Sequence, residues 1–539
     1  MKERLPASLQ RIANAMEPLL QSTPAAIRKI VQEAGVEPED LQAWADFGHP
    51  VADSYGRKLA YDGGHFEIMA MSWNPGDVSG IHDHGYTQWG AVQVFGPAEH
   101  ATFLCEDGIL HTWSRGYLKP YQVIAVSHDL VHQMGNTSDK PFFTLHVYGM
   151  DREIENVTGD ARVFDLLDNK IQRVDGGVFY NLPPEAIKKL EEAPRGDFPT
   201  RLRHLVELAR RLQKMEAAGL KGSAEKLDTI AELIFSGEQY RKFIYYLEQI
   251  TDEQFHQTDS AAWNVINWEL KEAARFQDQW LKDHRGADPF HQYAEWYDAL
   301  IGKPCLYGFM ANYLRFFQER YSIPFSRQRV LSLGSGTGLT EAFMIEELGL
   351  PYNQLLGIDV SDAMLQVAGR RIQVQKGDVL DLDPKNGTWD LAFSGLNVFH
   401  YLDHNRLDEA IQRTAGIVRS GGYFLGDFIT PDHIRWYPNV AYSDDRQTIS
   451  LRNPNLVEEE GHIFQESEII NVRFQEGKMR VSYSGKHRRF LPPMHRVRGY
   501  FENAFGGKVD LYDAVTLTPI PELADSCVST RYIVVAQKN

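Results

Sequence analysis

Apolar and polar positions follow three rhythms along the chain, and the changes of rhythm divide it. Leu9, Ile12, Met16 and Leu19 recur at three-to-four spacing, and residues 25–34 continue in the same manner, so 1–50 reads as a helical extension. From 51 to 182 the period shortens to two. The runs 66–71, 91–95 and 142–148 are short, alternating and punctuated by Gly and Pro, which predicts an all-β barrel or sandwich. Between 183 and 286 the strand signal stops. Leu202, Leu205, Leu208 and Leu212, then Ile230, Leu233 and Ile234, restore helical spacing and predict a helical connector, whose pattern lapses over 283–288. From 287 to 539 strand and helix signals alternate through 330–333, 355–358 and 391–393, as a parallel sheet with crossover helices requires. The expected fold class is multidomain: an all-β barrel, a helical connector and a Rossmann-like α/β domain.

Composition narrows the function. A chain of 539 residues exceeds what one core organises. Its 43% apolar and 24% charged content are ordinary for soluble protein, and no run approaches the roughly 18 apolar residues of a membrane span. The start, Met1-Lys2-Glu3-Arg4-Leu5-Pro6, has mixed charge and no apolar core like that of a signal peptide, so a cytoplasmic protein is expected. Cys105, Cys305 and Cys527 lie far apart without C-x-x-C spacing, which argues against a disulfide framework or zinc knuckle. A net charge of -17 repels phosphate backbones and argues against nucleic acid. The expected partners are small molecules, with no membrane; the oligomeric state is not legible.

The first candidate chemistry is Ile81-His82-Asp83-His84-Gly85. Two His separated by one residue on a strand point the same way, so both rings can reach one ion, and His132, forty-eight residues after His84, can close the site from a returning strand. With Gly76 six residues before His82 and Asn136 four after His132, the arrangement resembles a cupin. Many cupins carry a carboxylate four or five residues past the second His. Gln88 and Trp89 stand there, leaving His82, His84 and His132 as three neutral metal ligands. Tyr55-Gly56-Arg57, Trp73, the His set and Thr144-Leu145-His146-Val147-Tyr148 together resemble the cysteine dioxygenase family over about 50–182. The resemblance implies Fe(II), O2 as cosubstrate, Arg57 gripping a substrate carboxylate with Tyr55 beside it, and a catalytic relay through Thr144, His146 and Tyr148. Some members crosslink that tyrosine to a cysteine five residues past the second metal His; Trp89 occupies the position, so no such crosslink can form. A ferrous ion with three imidazoles accepts a thiolate, a neighbouring amine or carboxylate, and dioxygen, which brings the reactants within bonding reach.

The second is a strand running into Gly334-Ser335-Gly336-Thr337-Gly338. Glycines let the backbone approach a ligand, and Asp359, twenty-one residues past Gly338, ends the next strand where a carboxylate can accept from ribose hydroxyls. Dinucleotide binding is the competing reading, but the loop has G-x-G-x-G, not G-x-G-x-x-G. With Gly377-Asp378-Val379, Phe393-Ser394-Gly395-Leu396 and Gly421-Gly422 the set resembles a class I S-adenosylmethionine-dependent methyltransferase over about 287–539. The resemblance implies that Gly334, Ser335, Gly336 and Gly338 line the methionine moiety, Asp359 binds ribose, and Asp378 with Val379 meets the adenine. The family often has an acid two residues before the first glycine; here it is Ser332. His400 follows the fourth strand, where acceptors dock, and is a candidate base as well as a candidate packing residue. Residues 514–517 and 531–536 read as a terminal hairpin, and the basic run 487–498 reads either as a cover for an anionic acceptor or as a solvated or acid-paired surface.

Together these imply a bifunctional enzyme that oxygenates a small carboxylate-bearing thiol, cysteine or a relative, to a sulfinate, and methylates that product or a related metabolite. Because ligation needs a free thiolate, sulfur methylation cannot come first. The alternatives are a methyltransferase whose cupin is a ligand-sensing module, or a cupin that is a metal-dependent enzyme of another reaction class.

Overall fold

The computed structural model describes residues 5–249, 261–277, 290, 294–386, 388–436, 440–521 and 529–539. The chain forms two compact units, one comprising 1–250 with 259–276, the other 251–258 with 277–539.

Among the described residues of the first unit thirteen strands follow in order: β1 (Gly56–Asp62), β2 (Phe66–Trp73), β3 (Ile81–His82), β4 (Trp89–Val94), β5 (Glu99–Glu106), β6 (Ile109–Tyr117), β7 (Val123–Ser127), β8 (Val131–Gly135), β9 (Phe142–Gly149), β10 (Ala161–Asp165), β11 (Lys170–Val174), β12 (Lys189–Glu192) and β13 (Arg195–Gly196). They make two sheets, ordered β1-β2-β9-β4-β7 and β12-β11-β10-β3-β8-β5-β6-β13. Of the expected barrel or sandwich, the structure has two mostly open sheets, and a closed barrel is not seen. No ladder joins their edges among the described residues, and what unites them is a shared core of Met69, Met71, Val92, Val126, Met134, Tyr148 and Val163. The five-stranded sheet is covered on its other side too. Leu9, Ile12, Met16, Ile27 and Val31 of helices Ala7–Met16 and Pro24–Ala34 pack on Ile68, Trp89, Leu145 and Val147. This is why β2, β4 and β9 are buried at every position. Successive residues of β9 divide by period two: Phe143, Leu145 and Val147 face the helices, while Thr144, His146 and Tyr148 share the opposite face.

Strands β12 and β13 extend the eight-stranded sheet past residue 182, and helices Phe198–Ala217, Ser223–Ile234, Gly237–Gln249 and Ala261–Gln277 follow. The expected connector is thus largely part of the first unit; the lapse at 283–288 lies outside the described residues. Helix Phe198–Ala217 is fastened by charge as well as by leucines. Arg203 meets Glu99 at 2.7 Å and Glu207 at 2.6 Å, and Arg115 meets Glu269 at 2.7 Å, all buried. Removing one member of such a network leaves an uncompensated buried charge, at a cost of about 3–5 kcal/mol.

The second unit holds β14 (Val330–Leu333), β15 (Leu355–Asp359), β16 (Val374–Lys376), β17 (Trp389–Ser394), β18 (Val418–Ile429), β19 (Val440–Tyr442), β20 (Thr448–Glu459), β21 (His462–Gln475), β22 (Lys478–Phe490), β23 (Gly506–Asp513) and β24 (Arg531–Lys538). Its main sheet runs β16-β15-β14-β17-β18-β24-β23, parallel through the first five strands and antiparallel through the last two. The terminal hairpin therefore exists, but its first strand is β23 and not residues 514–517. Those form a turn, in which Asp513 Oδ1 accepts from the Val515 and Thr516 amides and Leu517 takes a left-handed φ of 59°. A second, four-stranded antiparallel sheet, β19-β20-β21-β22, was not expected. Cys105 and Cys305 are free thiols; Cys527 lies outside the described residues. No helix among the described residues is long and apolar enough to cross a membrane.

Candidate functional site

The imidazoles of His82, His84 and His132 converge because their strands are paired there. His82 on β3 lies directly across the ladder from His132 on β8, and their ring centroids are 4.5 Å apart. His84, two residues on, brings its ring within 4.8 Å of His132 and 5.5 Å of His82. One nitrogen from each ring lies within 4.8 Å of the others, the only such metal-capable group among the described residues. The intervening Asp83 is engaged elsewhere, by the Arg162 side chain and by the Arg162 amide at 2.8 Å.

Two of the rings have one nitrogen committed elsewhere. His82 Nδ1 bonds the Gly80 carbonyl at 2.8 Å, and His132 Nδ1 bonds His100 Nε2 at 2.9 Å, which turns Nε2 of each of these rings toward the common space. His132 Nε2 and both ring nitrogens of His84 are buried without a hydrogen-bond partner. A buried imidazole nitrogen left unpaired costs about 1–3 kcal/mol, a penalty that a bound cation removes. Burial lowers His82 to about 4, and burial with the neighbouring rings holds His84 and His132 well below the usual range, so all three are neutral, the form a metal requires.

The opposite wall is β9. Trp73 Nε1 donates to Thr144 Oγ1 at 2.8 Å, Thr144 Oγ1 lies 2.7 Å from His146 Nε2, and His146 Nδ1 lies 2.7 Å from Tyr148 Oη. Indole cannot accept, so Thr144 Oγ1 accepts from Trp73, and the direction of the two bonds beyond it is set by the His146 tautomer. With His146 protonated at Nδ1, Thr144 donates to Nε2, Nδ1–H donates to Tyr148, and the phenol's own proton is left for the cavity. Burial lowers His146 to about 3 and raises Tyr148, so the relay is neutral and phenolic.

Both walls line one small cavity of about 40 Å³, with Met69, Met71, Met134 and Val178 as apolar sides and Arg57 as its only permanently cationic lining residue among those described. Arg57 donates to Thr158 Oγ1 at 2.8 Å. Tyr55 stacks on Trp73 at 4.6 Å, and its hydroxyl accepts from the Val178 amide at 3.1 Å, so it braces the cavity wall. Trp89 faces away, in the core beneath the amino-terminal helices, donating to Asp151 at 2.8 Å. His100 and Thr158 were not singled out by sequence. Each is brought in by strand pairing or a loop from beyond any local motif, and only the period-two position of His100 on a neighbouring strand offered a hint.

In the second unit a cavity of about 530 Å³ opens over the carboxyl ends of the parallel strands, lined by Gly334, Ser335, Gly336, Asp359, Asp378, Val379, Leu396 and Tyr401 among others. Gly334, Gly336 and Gly338 take φ of 66°, 55° and 72°, a region side chains disfavour. A Cβ on Gly334 would meet Val398 at 2.5 Å. Gly338 is not among the lining residues; it precedes helix Leu339–Glu346. Asp359 Oδ2 accepts from the Gly336 amide at 2.8 Å and Oδ1 from Ser361 at 2.9 Å, while Asp378 Oδ1 accepts from Leu380 at 2.9 Å. Both carboxylates thus shape loops as well as face the cavity.

Residues 330–422 match the family model described as a methyltransferase domain. The carboxyl-terminal region therefore holds a class I S-adenosylmethionine-dependent methyltransferase domain. No curated protein matches the chain. Among solved structures it is similar to an S-adenosylmethionine-dependent methyltransferase from Clostridium acetobutylicum, with 15% identity over 47% of this chain and 100% of that one and a TM-score of 0.37. It is also similar to CalS10, an amino pentose methyltransferase from Micromonospora echinaspora, with 13% identity over 48% and 96% and a TM-score of 0.32. A third likeness is to the sugar N-methyltransferase KedS8 from Streptoalloteichus, with 16% identity over 48% and 92% and a TM-score of 0.31. At such values the likenesses say nothing of the methyl acceptor.

His400 is buried with both ring nitrogens on backbone: Nδ1 lies 2.6 Å from the Phe490 carbonyl, and Nε2 accepts from the Ile429 amide at 3.0 Å. Burial lowers it to about 3. It ties β22 to β18 and has no nitrogen left for a substrate. Two arginines of the basic run are engaged differently. Arg488 pairs with Glu459 and Glu466, whereas Arg489 donates to Tyr401, a residue of the cavity wall, at 2.9 Å.

Proposed function

We propose that the chain is a bifunctional enzyme whose first unit, a cupin of the cysteine dioxygenase kind, oxygenates a small carboxylate-bearing thiol to its sulfinate, and whose second unit methylates that product or a related small metabolite. The first reaction adds both atoms of one dioxygen to sulfur, RSH + O2 → RSO2H, a four-electron oxidation that needs no other reductant. The observation that carries it is the set of orphaned, buried ring nitrogens on His84 and His132, two residues that line the same cavity as Arg57 and Tyr148.

His82, His84 and His132 would hold Fe(II), which when bound supplies open positions for thiolate and oxygen. The chain does the rest. Arg57 pairs with the substrate carboxylate and sets which end of the molecule reaches the rings. The Met and Val side chains exclude water, and the small volume admits only a short thiol. Tyr148 offers its phenolic proton where negative charge develops, with Thr144 and His146 holding its orientation.

In the second unit Gly334, Ser335 and Gly336 would cradle the methionine arm of S-adenosylmethionine, Asp359 the ribose, and Asp378 and Val379 the adenine. The positive-φ loop, open above Gly336 where no atom lies within 4 Å of an added Cβ, leaves room for that approach. The bound cofactor supplies an electrophilic methyl group. Positioning of the acceptor in line contributes most of the rate, so the absence of a free imidazole at His400 is no obstacle.

The test is aerobic incubation of the Fe(II)-loaded full chain with a panel of small thiols under labelled dioxygen, with deuterated methyl donor present. Expected is a sulfinate carrying both labelled oxygens, and deuteromethyl on that product or a related acid. No oxygen uptake with any thiol would refute the oxidative half and leave the methyltransferase standing.

A further inference from the structure

One carboxylate in the cofactor cavity has no cationic partner among the described residues. Glu341, in the first turn of helix Leu339–Glu346, is 2% exposed and lines the cavity of the second unit. Its Oε1 accepts from the Ser332 hydroxyl at 2.6 Å, which fixes the side chain, and its Oε2 is buried with no hydrogen-bond partner. The charged groups acting on it are themselves acidic: Asp359 from the end of β15 and Asp298 from the segment Asp298–Gly302, the latter already paired with Arg371. Tyr313, also buried, stands near it and carries no charge to offset it. Burial first, then Asp359 and Asp298, raise Glu341 to about 7 against the lowering effect of Ser332. A buried acceptor so placed requires a donor, and a cationic donor most of all.

We propose that Glu341 binds the ammonium group of the amino-acid arm of S-adenosylmethionine, with Ser332 as the hydroxyl that orients it. This rests on reading the cavity as the cofactor site. The choice of ammonium over sulfonium follows from hydrogen bonding: an ammonium presents three N–H donors to the orphaned Oε2, and a sulfonium presents none. Ser332 lies two residues before Gly334, at the loop end expected to hold the methionine arm, whereas Asp359 and Asp378 belong to the strands that follow.

Calorimetric titration of the full chain decides it, with three ligands: S-adenosylmethionine, S-adenosylhomocysteine, which keeps the ammonium but lacks the sulfonium, and methylthioadenosine, which lacks the whole arm. Glu341→Gln is expected to weaken the first two about ten- to a hundredfold, the worth of a charge-assisted hydrogen bond, and to leave the third unchanged. Ser332→Ala should show a smaller loss in the same two. Wild-type protein provides a readout without any variant: binding of S-adenosylhomocysteine near pH 7 should release a fraction of a proton, measured by comparing buffers of different ionisation enthalpy. Equal affinities in wild type and Glu341→Gln, loss confined to the sulfonium ligand, equal loss with all three ligands, or no proton release would each overturn the proposal while the cofactor site stands. Failure of wild-type protein to bind any of the three would overturn the cofactor reading, and this proposal with it.

Discussion

Replacement of Arg57 by Ala separates substrate recognition from metal chemistry. Among the described residues Arg57 is the only permanently cationic side chain lining the trihistidine cavity, and it is aimed by its bond to Thr158 Oγ1, which in turn donates to Glu67 at 3.3 Å. A hydrogen bond to a charged group contributes about 1.5–3 kcal/mol, and a guanidinium gives a carboxylate two. Arg57 is half-buried, so solvent screening discounts the sum, and a loss of about 2–4 kcal/mol is expected, about 30- to 1,000-fold in kcat/KM. Arg57→Lys keeps the charge without the fork and should lose about tenfold. The assay is oxygen uptake by the Fe(II)-loaded enzyme with cysteine and with cysteamine, the same thiol without its carboxylate. Cysteine turnover should fall in both variants, and the already slow cysteamine turnover should barely change. An equal fall with both thiols would mean that Arg57 supports the wall and does not bind acids, and an unchanged rate with cysteine would refute the recognition argument outright.

Other consequences follow from single contacts. His100→Leu removes the partner of His132 Nδ1 and should weaken Fe(II) binding about 10- to 100-fold while leaving one site per chain, read by competition with a chelator. Gly334→Ala puts a Cβ 2.5 Å from Val398 at a φ of 66°; strain and crowding should cost about 2–4 kcal/mol, seen as a lower melting temperature and lost cofactor binding. His400 is held by burial at about 3, below the unfolded value near 6.5, so its contribution to stability is complete above pH 6.5 and is lost as pH falls toward 3, by up to about 1.4 kcal/mol per pH unit. Urea unfolding of the second unit should therefore weaken from pH 7 to 4, and His400→Asn should flatten that slope by about one proton; identical slopes would contradict the assignment.

What could be read in sequence was what period and spacing encode. His82 with His84, and Thr144 with His146 and Tyr148, share faces because a strand repeats every two residues. The parallel order of β14, β15 and β17 follows from alternating strand and helix signals. What escaped depends on pairing between distant segments. His100 meets His132 only because β5 lies beside β8, and Glu341 reaches Ser332 only because its helix turns back over β14. The closed barrel gave way to two sheets because alternation reports that a face is buried and is silent on whether edges join. His400 stood where a base is expected, yet its nitrogens serve β22 and β18, since the four-stranded sheet to which β22 belongs has no short-range signal.

The decisive measurement is the metal content of protein loaded anaerobically with Fe(II) and freed of excess ion. Wild type should retain one equivalent, and chains carrying His82→Ala, His84→Ala or His132→Ala should retain almost none while keeping the circular dichroism of the folded protein. Retention by those three variants equal to that of wild type would mean that the rings do not form a metal site, and the oxidative half of the account would be wrong.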